Sequence, residues 1–210
     1  PDFIDADWVS LKLGIASATV STIVAVPAAL AIGREKFSGR EALQALFLSP
    51  LTVPTVVLGI AFLRLLSVLE LNGTFIGLVL CHAIIITPFV LRLVLSSVVG
   101  MDRSIEKAAI SLGASNWTVF RRITMPLIMP GIVGGWVLAF ITSFDELTVT
   151  VFIVNPSTTT LPVRLFSHIT QTTDPLIASV STVVILFTVA LMLLINRFYG
   201  LDRLLMGESK

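Results

Sequence analysis

Five stretches of mostly apolar residues, each near the length of a membrane-crossing helix, constrain this chain more than any other feature. A spanning helix needs about 20 predominantly apolar residues. The windows run over about 8–32, 42–69, 75–98, 126–144 and 176–195. Backbone polar groups cannot stay unpaired in hydrocarbon, so windows of this length predict helices rather than open sheet. The expectation is an all-α, multi-span transmembrane helical bundle, with residues 1–210 forming a single domain.

Composition agrees. Charged residues make up 13% of the chain and apolar residues 55%, with a mean hydropathy of +0.98. Soluble domains carry about a quarter charged residues, so the thin charged shell points to lipid as the solvent for much of the surface. The net charge is +1 and no basic cluster with interleaved aromatics occurs, which argues against nucleic acid as a partner. Cys81 is the single cysteine, so no intrachain disulfide can form. Residues 1–8 hold Asp2, Asp5 and Asp7 with no basic region, unlike a signal peptide. They read as a solvated outer segment.

Basic residues collect in cytoplasmic loops. Arg34, Lys36 and Arg40 lie in 33–41, Arg103, Lys107, Arg121 and Arg122 in 99–124, and Arg197, Arg203 and Lys210 in the tail. The connection LELNGT between them has no basic residue, and 145–175 has only Arg164. The alternation places the C-terminus inside and Pro1 outside. Pro50 and Pro54 interrupt the second window, Pro88 the third, and Pro126 and Pro130 the fourth. Neighbouring helices can re-satisfy the freed carbonyls, so these prolines suit either ordinary membrane helices or bent ones lining a path.

The segment 99–125 is too polar to span and too patterned to be a plain loop. Ser104 is the expected N-cap, with Glu106 in the first turn where an acid suits the helix dipole. Ile105, Ala108, Ala109 and Leu112 follow at helical spacing on one face. Gly113 stands where a helix stop is expected. The spacing predicts a short helix over about 104–115, with a second helical patch at Trp117, Phe120 and Ile123 before Pro126 opens the next span. An interfacial helix lying on lipid is the plainer alternative, but small residues anchor weakly in lipid and favour close approach of another protein.

Lys107-Ala108-Ala109, then Gly113, Ile123 and Met125-Pro126 at fixed spacing, resemble the EAA signature of binding-protein-dependent ABC importer permeases, E-A-A-x₃-G-x₉-I-x-L-P. The match holds at Ala108, Ala109, Gly113, Ile123 and Pro126, and departs at Lys107 and Met125. Glu106 can supply the acid in place of position 107. The resemblance implies that this is the coupling helix, with Glu106, Lys107, Ala108, Ala109, Gly113, Ala114 and Ser115 engaging a separate ABC ATPase subunit. It also implies a second permease subunit, an extracytoplasmic solute-binding protein and a bacterial inner-membrane location. Six spans are usual in the family, which implies one further helix ahead of Pro1. The stretch SFDELTVTVFIVNPSTTTLPVRLFSHI is similar, more loosely, to spermidine/putrescine-type permeases.

No phosphate-cradling loop is present: the chain contains no Gly-Lys pair. HExxH and CxxC are absent too, so no metal or catalytic residue is assigned, and ATP with its magnesium is expected on the partner subunit. His82 reads as a hydrogen-bonded residue inside a span. Arg64 and Arg92 sit within apolar windows, close enough to span ends to snorkel or to pair; a pathway role is the alternative. Asp145 and Glu146 close the fourth window among apolar neighbours, near Thr142, Gly134 and Gly135. Paired carboxylates at an entrance suit a cationic solute, whereas a helix or loop cap is the simpler role. The expected function is transport without chemistry, with a polyamine as the favoured solute. Amino-acid derivatives, other organic cations and anions are the alternatives, and a self-sufficient channel or secondary transporter is the competing class.

Overall fold

A computed structural model describes residues 2–171 together with Thr182 and Leu186. The window 176–195 lies outside these residues except at those two positions. The described residues are helical and contain no strand. Helices α1 (Asp2–Arg34), α4 (Phe75–Gly100) and α7 (Met125–Phe144) pack on one another as a bundle. Between α1 and α4 run α2 (Arg40–Leu48), a 3₁₀ turn (Ser49–Leu51) and α3 (Thr55–Val68). Between α4 and α7 run α5 (Ser104–Ser111), α6 (Asn116–Val119) and a π-turn (Phe120–Thr124). After α7 come α8 (Thr150–Ile153) and α9 (Leu161–Gln171). Residues 1–164 form one compact unit, and a second begins at Leu165, inside α9.

The bundle is held by small residues and a few interhelical hydrogen bonds. One face of α1 buries Ala6, Ser10, Ser17, Ala18, Ser21, Ala25 and Ala29. Small side chains let helix backbones approach closely where lipid removes the usual hydrophobic drive. The Ser21 and Thr87 hydroxyls lie 3.1 Å apart, Ser17 Oγ donates to the Val79 carbonyl at 3.4 Å, and Trp136 Nε1 donates to Thr19 Oγ1 at 3.2 Å. On α7, Gly131 and Gly135 face α4: a Cβ at Gly135 would sit 3.2 Å from Val90 Cα, and one at Gly131 2.7 Å from the Leu93 carbonyl oxygen.

The structure refines three expectations from the sequence. First, α1 begins at Asp2, not near residue 8; Asp5 and Asp7 are exposed within its opening turns, where carboxylates favour the positive end of the dipole. Second, the window 42–69 is broken where its prolines lie, and Arg40–Leu51 and Thr55–Val68 meet at 101°. Pro50 and Pro54 lack the amide protons that would continue the ladder, and residues before proline avoid helical backbone. Third, α7 does begin at Met125 with Pro126 in its first turn, but the helical run is continuous from Asn116 to Phe144 through the π-turn.

Among the described residues, three helices are long and apolar enough to cross a membrane: Phe3–Arg34, Phe75–Gly100 and Asn116–Phe144. The bent pair makes a fourth if it counts as a single span.

Candidate functional site

At one end of the bundle, α5, like α2, is a helix with no buried residue. Its start is set by Asp102, not by Ser104 as the sequence suggested. The Asp102 carboxylate accepts from the Ser104 amide at 2.8 Å and the Ser104 hydroxyl at 2.7 Å. A carboxylate accepts more strongly than a hydroxyl at a helix start, and those bonds from Ser104 hold the Asp102 carboxyl below the usual range. The stop is as expected. Gly113 has φ +88°, its amide donates to the Ile110 carbonyl at 2.9 Å, and the Ala114 amide donates to the Ala109 carbonyl at 3.0 Å. That pair of bonds is a Schellman closure, which needs a residue comfortable at positive φ. The helix therefore ends at Ser111 rather than 115. Ala114 completes the closure, and Ser115 caps α6 by accepting from the Thr118 amide at 3.3 Å.

The two sides of α5 differ. Lys107 and Ala108 are exposed, as are Ile105 and Ile110, and Leu112 just beyond the helix is 89% exposed. Trp117 in α6 is 68% exposed. An apolar, small-residue surface left uncovered at a loop suits contact with another protein. Glu106 and Ala109 are the half-buried members. Glu106 accepts from Arg34, the last residue of α1, at 2.6 Å, and also from the Thr124 hydroxyl in the π-turn. Arg103 Nη2 donates to the Gly33 carbonyl at 3.3 Å. Burial alone would raise the Glu106 carboxyl, but the bonds from Thr124 and Arg34, with the charges of Arg34 and Arg103, hold it below its ordinary value. The Glu106 carboxyl is therefore ionised at neutral pH.

At the opposite end of α7, the proposed carboxylates separate. Glu146 caps α8: its Oε1 accepts from the Val149 amide at 3.0 Å, and its Oε2 from the Thr150 amide at 2.9 Å and hydroxyl at 2.7 Å. Asp145 is exposed and its amide closes α7 on Ile141 at 3.1 Å. Thr142 donates back to the Leu138 carbonyl of its own helix at 2.8 Å. These bonds do not join the three side chains to one another.

The sequence reading missed the partners of His82. This fully buried residue of α4 lies 2.8 Å from Ser143 Oγ through Nδ1 and 3.0 Å from Thr150 Oγ1 through Nε2. Thr150 directs its hydroxyl proton to Glu146, so it accepts from His82 Nε2–H, and Nδ1 accepts from Ser143. The chain His82–Thr150–Glu146 fastens the corner between α7 and α8 to α4. Ser143 and Thr150 lie far from His82 in sequence, so no local pattern announced it. Arg64 and Arg92 are both exposed on the surface of this chain. Beside the bend at Ser49–Pro50 lies a cleft of about 400 Å³, lined mainly by apolar side chains of α1, α2 and α4. Among the described residues, no group of three or more His, Cys, Asp or Glu could hold a metal.

The sequence and fold match known proteins. A family profile described as binding-protein-dependent transport system inner membrane component matches residues 25–202. The spermidine/putrescine transport system permease protein PotC of Haemophilus influenzae is 32% identical over 185 residues, covering 88% of this chain and 72% of that protein. The putrescine transport system permease protein PotI of Escherichia coli is 33% identical over 189 residues, covering 87% and 67%. The crystal structure of a bacterial ABC transporter involved in the import of the acidic polysaccharide alginate has a similar fold, with a TM-score of 0.66, 14% identity and coverage of 95% of this chain and 76% of that one. The chain thus belongs to the family of binding-protein-dependent transport system inner membrane components and is a multi-pass inner-membrane permease of the ABC importer class.

Proposed function

We propose that this permease imports a polyamine and is driven by a separate ATPase subunit that grips α5. The observation that carries the second part is the geometry of α5: it is uncovered on its Lys107–Ala108 side, closed by Gly113, and tied to the bundle through Glu106. A helix held at one side and open at the other suits a lever that a partner can push. Ala108, Ala109, Gly113, Ala114 and Ser115 would then shape the docking end, with Lys107 beside the partner. The polyamine follows from the relatives above, whose names specify spermidine and putrescine. Asp145, exposed at the outer end of α7, is the better of the two carboxylates for meeting an ammonium group, since Glu146 is already engaged as a cap.

In this reading one domain crosses the membrane five times: through the three long helices, the bent pair as a fourth, and the apolar window 176–195, which lies largely outside the described residues, as the fifth. The basic loops, with α5 among them, face the cytoplasm. A second permease subunit completes the path, and a solute-binding protein delivers the polyamine to the outer end. The chain itself binds no ATP or magnesium. The two arrangements of such a pair are a bistable element biased from the ATPase side. The test is uptake of labelled spermidine by proteoliposomes holding the complex purified through a tag on this chain. ATP-dependent uptake with the binding protein present supports the reading. ATP-dependent transport of an anionic solute with no spermidine uptake would overturn the polyamine assignment.

A further inference from the structure

The cytoplasmic end of α1 meets the segment 103–124 at three points, one of them on the coupling helix itself. Arg34 pairs with Glu106 at 2.6 Å, Arg34 Nη2 also reaches Thr124 Oγ1 at 3.4 Å, and Arg103 donates to the Gly33 carbonyl at 3.3 Å. The pair is largely shielded, with the Arg34 and Glu106 side chains 20% and 13% exposed. Exposed ion pairs count for little, whereas a shielded pair with hydrogen bonds from a third group fixes geometry. From Arg34, α1 continues as one helix to Asp2, about 50 Å long with Pro27 inside it. At its outer end, Ser10 Oγ accepts from the Leu161 amide at 2.8 Å. Leu161 follows the turn 155–160, where Thr158 Oγ1 also reaches the Gly73 carbonyl at 3.4 Å. One helix therefore holds the coupling helix at one end and an outer loop at the other.

Resting on the permease reading above, we propose that the Arg34–Glu106 pair is the joint through which α1 carries coupling-helix motion across the membrane to the outer loop seated on Ser10. Glu106 and Arg34 are positioning residues, since the groups expected to meet the ATPase lie on the other side of α5. Lys107, at the position of the family's signature acid, is exposed and free to face the partner, so the acid at 106 serves this internal joint.

The experiment uses the complete complex purified from native membranes through a tag on this chain, with a nitroxide at Ile4→Cys on the exposed outer end of α1. ATP with vanadate is the stimulus; the readouts are ATP hydrolysis and the change in the Ile4 label. With Glu106→Gln, the Ile4 response per ATP hydrolysed should fall at least fivefold. The exchanged pair Arg34→Glu with Glu106→Arg should recover at least half of the response. A full Ile4 response in Glu106→Gln overturns the proposal, and so does an assembled, hydrolysing exchange variant that recovers none. If Glu106→Gln does not assemble, the exchange variant decides alone: assembly with restored response supports the joint, and assembly without response sinks it. A wild-type complex lacking any ATPase would instead overturn the permease reading, before any variant is compared.

Discussion

Glu106 and Lys107 are neighbours in sequence, yet the Glu106 carboxylate lies 2.6 Å from the Arg34 guanidinium while Lys107 is exposed and takes no part in the ion pairing among the described residues. The internal acid and the outward position of the family signature are thus separate jobs on one helix. Lys107→Glu, which restores the signature residue, should leave stability within about 0.5 kcal/mol, as exposed substitutions do. Uptake should stay within about twofold of wild type. A tenfold loss of uptake at unchanged melting temperature would show that Lys107 meets an acid on the ATPase.

Gly113 tests the docking end. Its φ of +88° is a conformation that costs an L-residue about 1–2 kcal/mol, but a Cβ there meets nothing within 4 Å in this chain. Gly113→Asn, which tolerates that backbone, should keep ATPase stimulation. Gly113→Leu should express and insert, yet lose most stimulation, because its bulk has room in the free chain and none against a docked partner. Equal ATPase stimulation in both variants would remove Gly113 from the docking surface.

Much of this was legible in the sequence, for local reasons. The stop at Gly113 follows from a helical stripe meeting a glycine, and the apolar windows over α1, α4 and α7 follow from length and composition. Features set by distant partners were not legible. Asp102 displaced Ser104 as the cap because a carboxylate two residues upstream outcompetes a hydroxyl. The π-turn that carries the helix through Pro126 left no mark in the apolar pattern. The right-angle break at Ser49–Pro54 was signalled by its prolines, but its size was not. His82 gave no hint of Ser143 or Thr150, which only packing of α4, α7 and α8 brings to it.

His82 should matter for stability more than its isolation in sequence suggests. His82→Leu leaves the buried Ser143 hydroxyl without its partner, while Thr150 keeps its bond to Glu146. An unsatisfied buried polar group costs about 1–3 kcal/mol, so the melting temperature in detergent should fall by several degrees. His82→Gln should recover part of that loss by offering both a donor and an acceptor. An unchanged melting temperature for His82→Leu would show that the network contributes nothing to holding the corner between α7 and α8.

The two outer carboxylates should part company on substitution. Glu146→Gln replaces a charged cap that accepts from two backbone amides, and should lower stability by about 1 kcal/mol. Asp145→Asn should leave the melting temperature unchanged and reduce spermidine uptake severalfold. Measuring both quantities on both variants separates capping from solute contact. Wild-type uptake in Asp145→Asn would end the case for a cation site at this corner.

The most direct measurement is cross-linking from the uncovered end of α5, the proposed coupling helix. With Leu112→Cys, the most exposed large apolar position of the described residues, a short thiol-reactive cross-linker applied to native membranes should join this chain to one ATPase subunit. The yield should fall when Gly113→Leu is added. A Leu112→Cys chain that folds and transports but forms no product with an ATPase, while cysteines elsewhere on the cytoplasmic loops do, would place the docking site away from α5 and contradict the mechanism.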